Sequence, residues 1–181
     1  MTQDAARVRR RRRVLLALAL VLVVVFALPE RQAIPVAGAT PSSWNRKSFW
    51  YEPWGVSGVH KGIDIFAAKG TPVRAPTYGI VLFRGTIALG GRVVVLVGPK
   101  LRLHYFAHLD SIDVHPGVPV LRGHVLGHVG DSGNAKGKSP HLHYSIVTPV
   151  PYPWRIDSST QGWKKMFYLD PDAWLRRAAR Q

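Results

Sequence analysis

The sequence predicts an all-β domain, a compact antiparallel core with an apolar helix before it and a short helix at its end. Three observations point there. The 181 residues carry 17 Gly and 14 Pro, and from Phe49 onward apolar runs alternate with Gly and Pro clusters, the punctuation of short strands and turns. An uninterrupted apolar run follows five arginines near the start. The segment G-T-P-V (70–73) recurs as G-V-P-V (117–120), each just upstream of a Gly-marked strand, which suggests a duplicated β unit of hybrid or barrel-sandwich type.

In chain order, residues 1–13 form a basic segment containing Arg9 to Arg13. Residues 14–28 have no polar side-chain atom and are followed by Pro29-Glu30-Arg31. A basic flank with an apolar run is the export pattern and favours a cytoplasmic N-terminus. Fifteen residues at about 1.5 Å each reach roughly 22 Å, short of the roughly 30 Å hydrocarbon core. That length suits a signal segment or a short anchor, and the anchor is preferred because the small-residue stretch at 37–39 lies far beyond the apolar run. The rest of the chain is then expected outside the cytoplasm, in the cell envelope or periplasm, with a possible inner-membrane association. Residues 29–48, rich in Pro, Ala, Ser and Thr, read as a linker.

Strands are expected near 63–66, 79–84, 92–97, 101–108, 125–129 and 141–147, within a domain spanning 49–150. Residues 98–100 are a hairpin turn, and the polar stretch 131–138 is a loop with nothing to bury. In the extension 151–181, residues 170–180 form a helix with Pro171 in its first turn, its Trp174 and Leu175 packing inward.

The absence of cysteine excludes disulfides, zinc–thiolate sites, thiol nucleophiles and cysteine lipidation. Of the formal charge of +15, much lies early. Seven arginines and two acids precede Thr40, and the remaining 18 basic and 8 acidic residues leave the rest at net +10. Such a surface draws polyanions. The basic residues are scattered without an interleaved aromatic platform, which together with the export segment argues against nucleic acid.

The chemistry lies in the histidines. In S-P-H-L-H-Y-S-I (139–146), strand alternation places His141 and His143 on one face and Leu142, Tyr144 and Ile146 on the other. In V-H-K-G-I-D-I-F (59–66), Asp64 sits between Ile63 and Ile65, so two apolar side chains face a core while the carboxylate faces away. A carboxylate held on a rigid strand needs a cation or a full set of donors if buried. Catalytic zinc takes about three protein ligands and keeps one position for water. His60, Asp64 and one of His141 and His143 meet that requirement. The other histidine of the pair lies beside the metal, where an imidazole moves protons near neutral pH. His108 ends the strand H-Y-F-A-H and adds a further imidazole if that strand lies nearby. His104, His115, His124 and His128 read as ordinary surface or core residues.

These segments resemble the LytM/lysostaphin-type zinc metallopeptidases, the cell-wall endopeptidases. The resemblance runs in order through H-K-G-I-D-I-F-A-A-K-G-T-P-V-R-A-P (60–76), G-I-V-L (79–82), Y-F-A-H-L (105–109), P-G-V-P-V-L-R-G-H-V-L-G-H-V-G-D-S-G (116–133) and P-H-L-H-Y-S-I (140–146). It implies one Zn2+ per chain held by His60, Asp64 and His143, with His141 and His108 as the catalytic, non-ligand histidines. It implies a site in a groove and, as substrate, the peptide stems of peptidoglycan. A non-catalytic wall-binding or hydrolase-activating module of the same fold, and a peptidase acting on envelope proteins, are the competing expectations. Two departures stand out. Ser145 occupies a place where the family commonly has an acid, and W-Y-E-P-W-G-V-S-G (50–58) lacks an arginine often found there. L-D-P (169–171) resembles the family's closing element. Trp154, Trp163 and Tyr168 are expected to pack into the core rather than wall the groove.

Overall fold

A computed structural model describes residues 2–27, 29–30 and 32–180. Among these residues nine strands join in one mainly antiparallel sheet. They are β1 (Ile63–Phe66), β2 (Pro72–Arg74), β3 (Gly79–Ile87), β4 (Gly91–Val97), β5 (Leu103–Ile112), β6 (Pro119–Val120), β7 (Val125–Val129), β8 (His141–Val147) and β9 (Tyr168–Leu169). The main path runs β1-β8-β5-β4-β3-β6, with β7 bridging β5 to β2 and β9 beside β8. Helix α1 is Thr2–Ala27 and helix α2 is Pro171–Ala178.

All six expected strands are present. The sequence reading missed β2, β6 and β9, which have two or three residues each and no room for a periodic pattern. The repeated P-V pairs form β2 and β6. Their pairing is crosswise: β2 pairs with β7, the strand that follows β6, and β6 pairs with β3, the strand that follows β2. The turn after Val97 closes the β4–β5 hairpin, with Gly98 N–H donating to the Arg102 carbonyl at 2.8 Å.

Alternation on β8 sends Leu142, Tyr144 and Ile146 into a fully buried core with Ile63, Ile65, Phe106 and Leu126. At about 25 cal/mol per Å² of apolar surface, each such side chain contributes roughly 1.5–3 kcal/mol. This core fixes the register of β8 against β1, because a one-residue slip would turn the whole set outward.

The segment read as a linker makes contacts with the domain. Val36 and Trp44 are buried, with isolated bridges Val36↔Val73 and Trp44↔Ile65. Arg74 N–H donates to Pro35, Ala37 N–H to Pro72, and the Trp44 indole to Asp172 Oδ1 at 3.1 Å. Proline and alanine suggested a tether, but an extended chain with unpaired amides also completes a sheet edge. Helix α2 begins with Asp170 accepting from Asp172 N–H. Its Leu175 is buried and Trp174 packs at the core's rim.

Leu28, the last residue of the expected apolar run, and Arg31 lie outside the described residues. The rest of that run lies in the C-terminal half of α1, where Leu16, Leu20, Val23 and Phe26 are among the exposed side chains. No helix among the described residues is long and apolar enough to cross a membrane.

Candidate metal centre

Strand pairing brings the two motifs together. Asp64 of β1 lies directly opposite His143 of β8, and Phe66 opposite His141. Cross-strand partners have Cβ atoms about 4.5–5.5 Å apart, so the carboxylate and one imidazole meet without any loop. Ala107 of β5 flanks His143 on the other side. His60 enters from just before β1 and is buried.

Three atoms converge. His60 Nε2 lies 3.1 Å from Asp64 Oδ1 and 3.0 Å from His143 Nδ1, and His143 Nδ1 lies 2.9 Å from Asp64 Oδ1. The other nitrogen of each ring has an acceptor. His60 Nδ1 donates to the Ser48 carbonyl at 2.9 Å, and His143 Nε2 to Ser145 Oγ at 3.0 Å. Neutral imidazole carries one N–H, so both rings turn a lone pair toward the carboxylate. Two imidazole nitrogens and one carboxylate oxygen, all within 3.1 Å of one another, suit a divalent metal. His60, Asp64 and His143 are thus a group able to hold a metal ion.

His141 and His108 stand beside this group. His141 Nε2 is 3.9 Å from Asp64 Oδ2, and its Nδ1 donates to the Ser139 carbonyl at 2.8 Å. His108 Nδ1 donates to the Ser132 carbonyl at 2.9 Å, and its ring centre is 5.0 Å from that of His141. Each ring therefore keeps Nε2 as its basic nitrogen. Burial lowers the His108 pKa to about 4, keeping the ring neutral.

His108 reaches the site by an irregularity. Its φ is +63°, in the left-handed region. The β4–β5 register slips there, with Val94 facing Phe106 but Arg92 facing Leu109. Strict alternation would have sent His108 to the same side as Phe106. The bulge turns it to the groove, as bulges do beside active sites.

The groove has a volume of about 570 Å³ and is lined by all five expected residues. Two further residues were not singled out from the sequence. The Trp54 indole stacks on His60 with ring centres 4.1 Å apart and planes 25° from parallel. Tyr105 lies edge-on to His143 with centres 6.2 Å apart, and burial lifts its pKa to about 12, so the phenol keeps its proton. Tyr105 follows alternation along β5, whereas Trp54 sits on an irregular loop that carries no periodic signal.

The aromatic residues of the extension differ from expectation. Trp154 and Trp163 are exposed and line neither core nor groove, and half-buried Tyr168 meets Trp50 edge-on. The extension braces the Trp54 loop instead. Gln161 Nε2 donates to the Ser57 carbonyl at 2.9 Å and the Trp50 indole to the Thr160 carbonyl at 3.1 Å. His104 is buried in the core against Tyr144, and His128 pairs with Ser111 and Asp113, both away from the groove.

A β-sheet groove holding a His–Asp–His cluster with two more imidazoles beside it is the arrangement of a metallopeptidase. Residues 58–152 match Peptidase family M23, and the chain belongs to that family. It is 36% identical over 114 residues to the L-Ala--D-Glu endopeptidase of Bacillus subtilis (strain 168), covering 58% of this chain and 35% of that protein. It is 35% identical over 115 residues to the DD-carboxypeptidase/endopeptidase Mpg of Neisseria meningitidis serogroup B, covering 60% of this chain and 26% of that protein. The chain therefore spans about a third or less of the length of these curated relatives. Among solved structures, the catalytic domain of lysostaphin from Staphylococcus simulans superposes with a TM-score of 0.55 at 27% identity, covering 68% of this chain and 85% of that one.

Proposed function

We propose that this chain is a zinc-dependent endopeptidase that hydrolyses peptide cross-links of bacterial peptidoglycan. The observation that carries the reading is the convergence of His60 Nε2, Asp64 Oδ1 and His143 Nδ1, each ring's other nitrogen tied to an acceptor, with His141 and His108 adjacent. In this reading His60, Asp64 and His143 hold the metal. Bound zinc polarises a carbonyl and lowers the pKa of its water toward neutrality. His141 Nε2, its ring fixed by the Ser139 carbonyl, accepts the proton of the attacking water. The proton taken up by His141 then passes to the departing amine, and His108, neutral and fixed by the Ser132 carbonyl, keeps a second basic nitrogen beside it. The Tyr105 phenol, which keeps its proton and lines the same groove, donates to the developing oxyanion in this reading.

Peptidoglycan as substrate is supported by similarity to the peptidoglycan DD-endopeptidase ShyA of Vibrio cholerae serotype O1, 33% identical over 88 residues, covering 49% of this chain and 20% of that protein. Such a substrate requires work outside the cytoplasm. Residues 1–28, with five arginines before an apolar run, supply the means of export or of association with the inner membrane.

The test is digestion of purified peptidoglycan by the purified full-length chain, with and without a chelator, followed by mass spectrometry of the fragments. Chelator-sensitive loss of cross-linked fragments with new free peptide ends is expected. Folded, zinc-loaded protein that releases nothing would refute the reading in favour of wall binding or a protein substrate.

A further inference from the structure

We infer that Ser145 is a positioning residue that fixes the tautomer of His143, using the peptide carbonyl of Lys61 as its reference. The inference rests on the metal-site reading above. The chain of donors is directional. The Lys61 carbonyl has no proton and only accepts, so Ser145 Oγ–H donates to it at 2.8 Å. That commits the one hydroxyl hydrogen. Ser145 Oγ then meets His143 Nε2, 3.0 Å away, as an acceptor. A neutral His143 that donates Nε2–H to this hydroxyl keeps Nδ1 as a lone pair on the side of Asp64 Oδ1 and His60 Nε2, where a cation would be held.

The surroundings enforce the arrangement. Ser145 is buried, paired across the sheet with Tyr105, so water does not compete for its hydroxyl. A Cβ on Gly62 would lie 2.5 Å from Ser145 Oγ and 2.8 Å from His143 Cε1. Only the bare backbone of glycine lets the Lys61–Gly62 peptide come this close. With one free rotor and no charge, the serine selects a tautomer without adding a second anion beside Asp64. Of the rings in the groove, His60, His108 and His141 are set directly by main-chain carbonyls of Ser48, Ser132 and Ser139. His143 is set through a side chain, and a side chain can be replaced.

The experiment reads the ring tautomer by 15N NMR of the metal-free, full-length chain at about pH 8, above the ordinary histidine pKa, and zinc affinity by competition with a chromophoric chelator. Wild type is expected to show His143 as the Nε2–H form. Ser145→Ala is expected to show both tautomers and to bind zinc about 10–100-fold more weakly. Ser145→Thr, which keeps the hydroxyl, is expected to restore affinity. A wild-type His143 protonated on Nδ1 would overturn the inference, as would a folded Ser145→Ala with unchanged zinc affinity. The wild-type tautomer needs no variant and no bound metal. If zinc fails to bind wild type while His143 is still the Nε2–H form, the metal reading falls and the tautomer assignment stands.

Discussion

Replacing His143 and His141 one at a time with alanine separates two residues that are two positions apart on one strand face. His143 Nδ1 lies 2.9 Å from Asp64 Oδ1 and 3.0 Å from His60 Nε2, whereas His141 Nε2 is 3.9 Å from the other carboxylate oxygen and outside the three-atom cluster. Protein zinc sites with four ligands bind with roughly 10–16 kcal/mol, or about 2.5–4 kcal/mol per ligand. His143→Ala should therefore weaken zinc binding by about 10²–10³-fold and remove activity with it. His141→Ala leaves all three cluster atoms in place. Its zinc affinity should stay within about threefold of wild type, while turnover at saturating zinc falls about 10²–10⁴-fold through loss of a proton acceptor. The assays are chelator competition for affinity and release of peptidoglycan fragments for turnover, on variants whose melting temperature shows them folded. Equal loss of zinc in both variants would refute the division of labour, as would a His143→Ala protein that binds zinc like wild type.

Trp44→Ala, which removes a buried side chain and its bond to Asp172, should cost about 3 kcal/mol and lower the melting temperature; a change within about 0.5 kcal/mol would mean the 32–44 segment is a loose tether after all. Gly62→Ala places a Cβ 2.5 Å from the Tyr144 carbonyl oxygen, so it should destabilise the fold by about 1–3 kcal/mol and weaken metal binding, as a denaturant titration with and without zinc would show. His104 is buried, and burial, with a smaller contribution from the Arg102 charge, lowers its pKa to about 3. The unfolded chain binds that proton below about pH 6.5 while the folded chain does not. Stability is thus fullest above about pH 6.5 and declines as pH falls toward about 3, by an amount on the order of a few kcal/mol. His104→Leu should flatten that part of the stability–pH curve, and an unchanged slope would assign the acid sensitivity elsewhere.

The residues themselves determined a good deal. Alternation in 63–66 and 141–147 separated core from groove, because in a strand the side-chain period is two whatever the partner is. The types and spacing of His60, Asp64, His141 and His143 limited the chemistry to a few options. Strand pairing decided which of the two histidines faces the carboxylate, since register is a relation between segments distant in sequence: Asp64 came opposite His143 and not His141. The turn of His108 into the groove depended on a bulge, a mismatch of length between β4 and β5 that neither strand carries alone. Val36 and Trp44 were hidden in a stretch that reads as linker, because burial depends on what the rest of the sheet leaves uncovered. Trp54 on His60, and the extension that braces its loop, needed the folded chain to bring residues 50–60 and 157–165 together. Local pattern determines what each segment buries; only the tertiary structure determines what it is buried against.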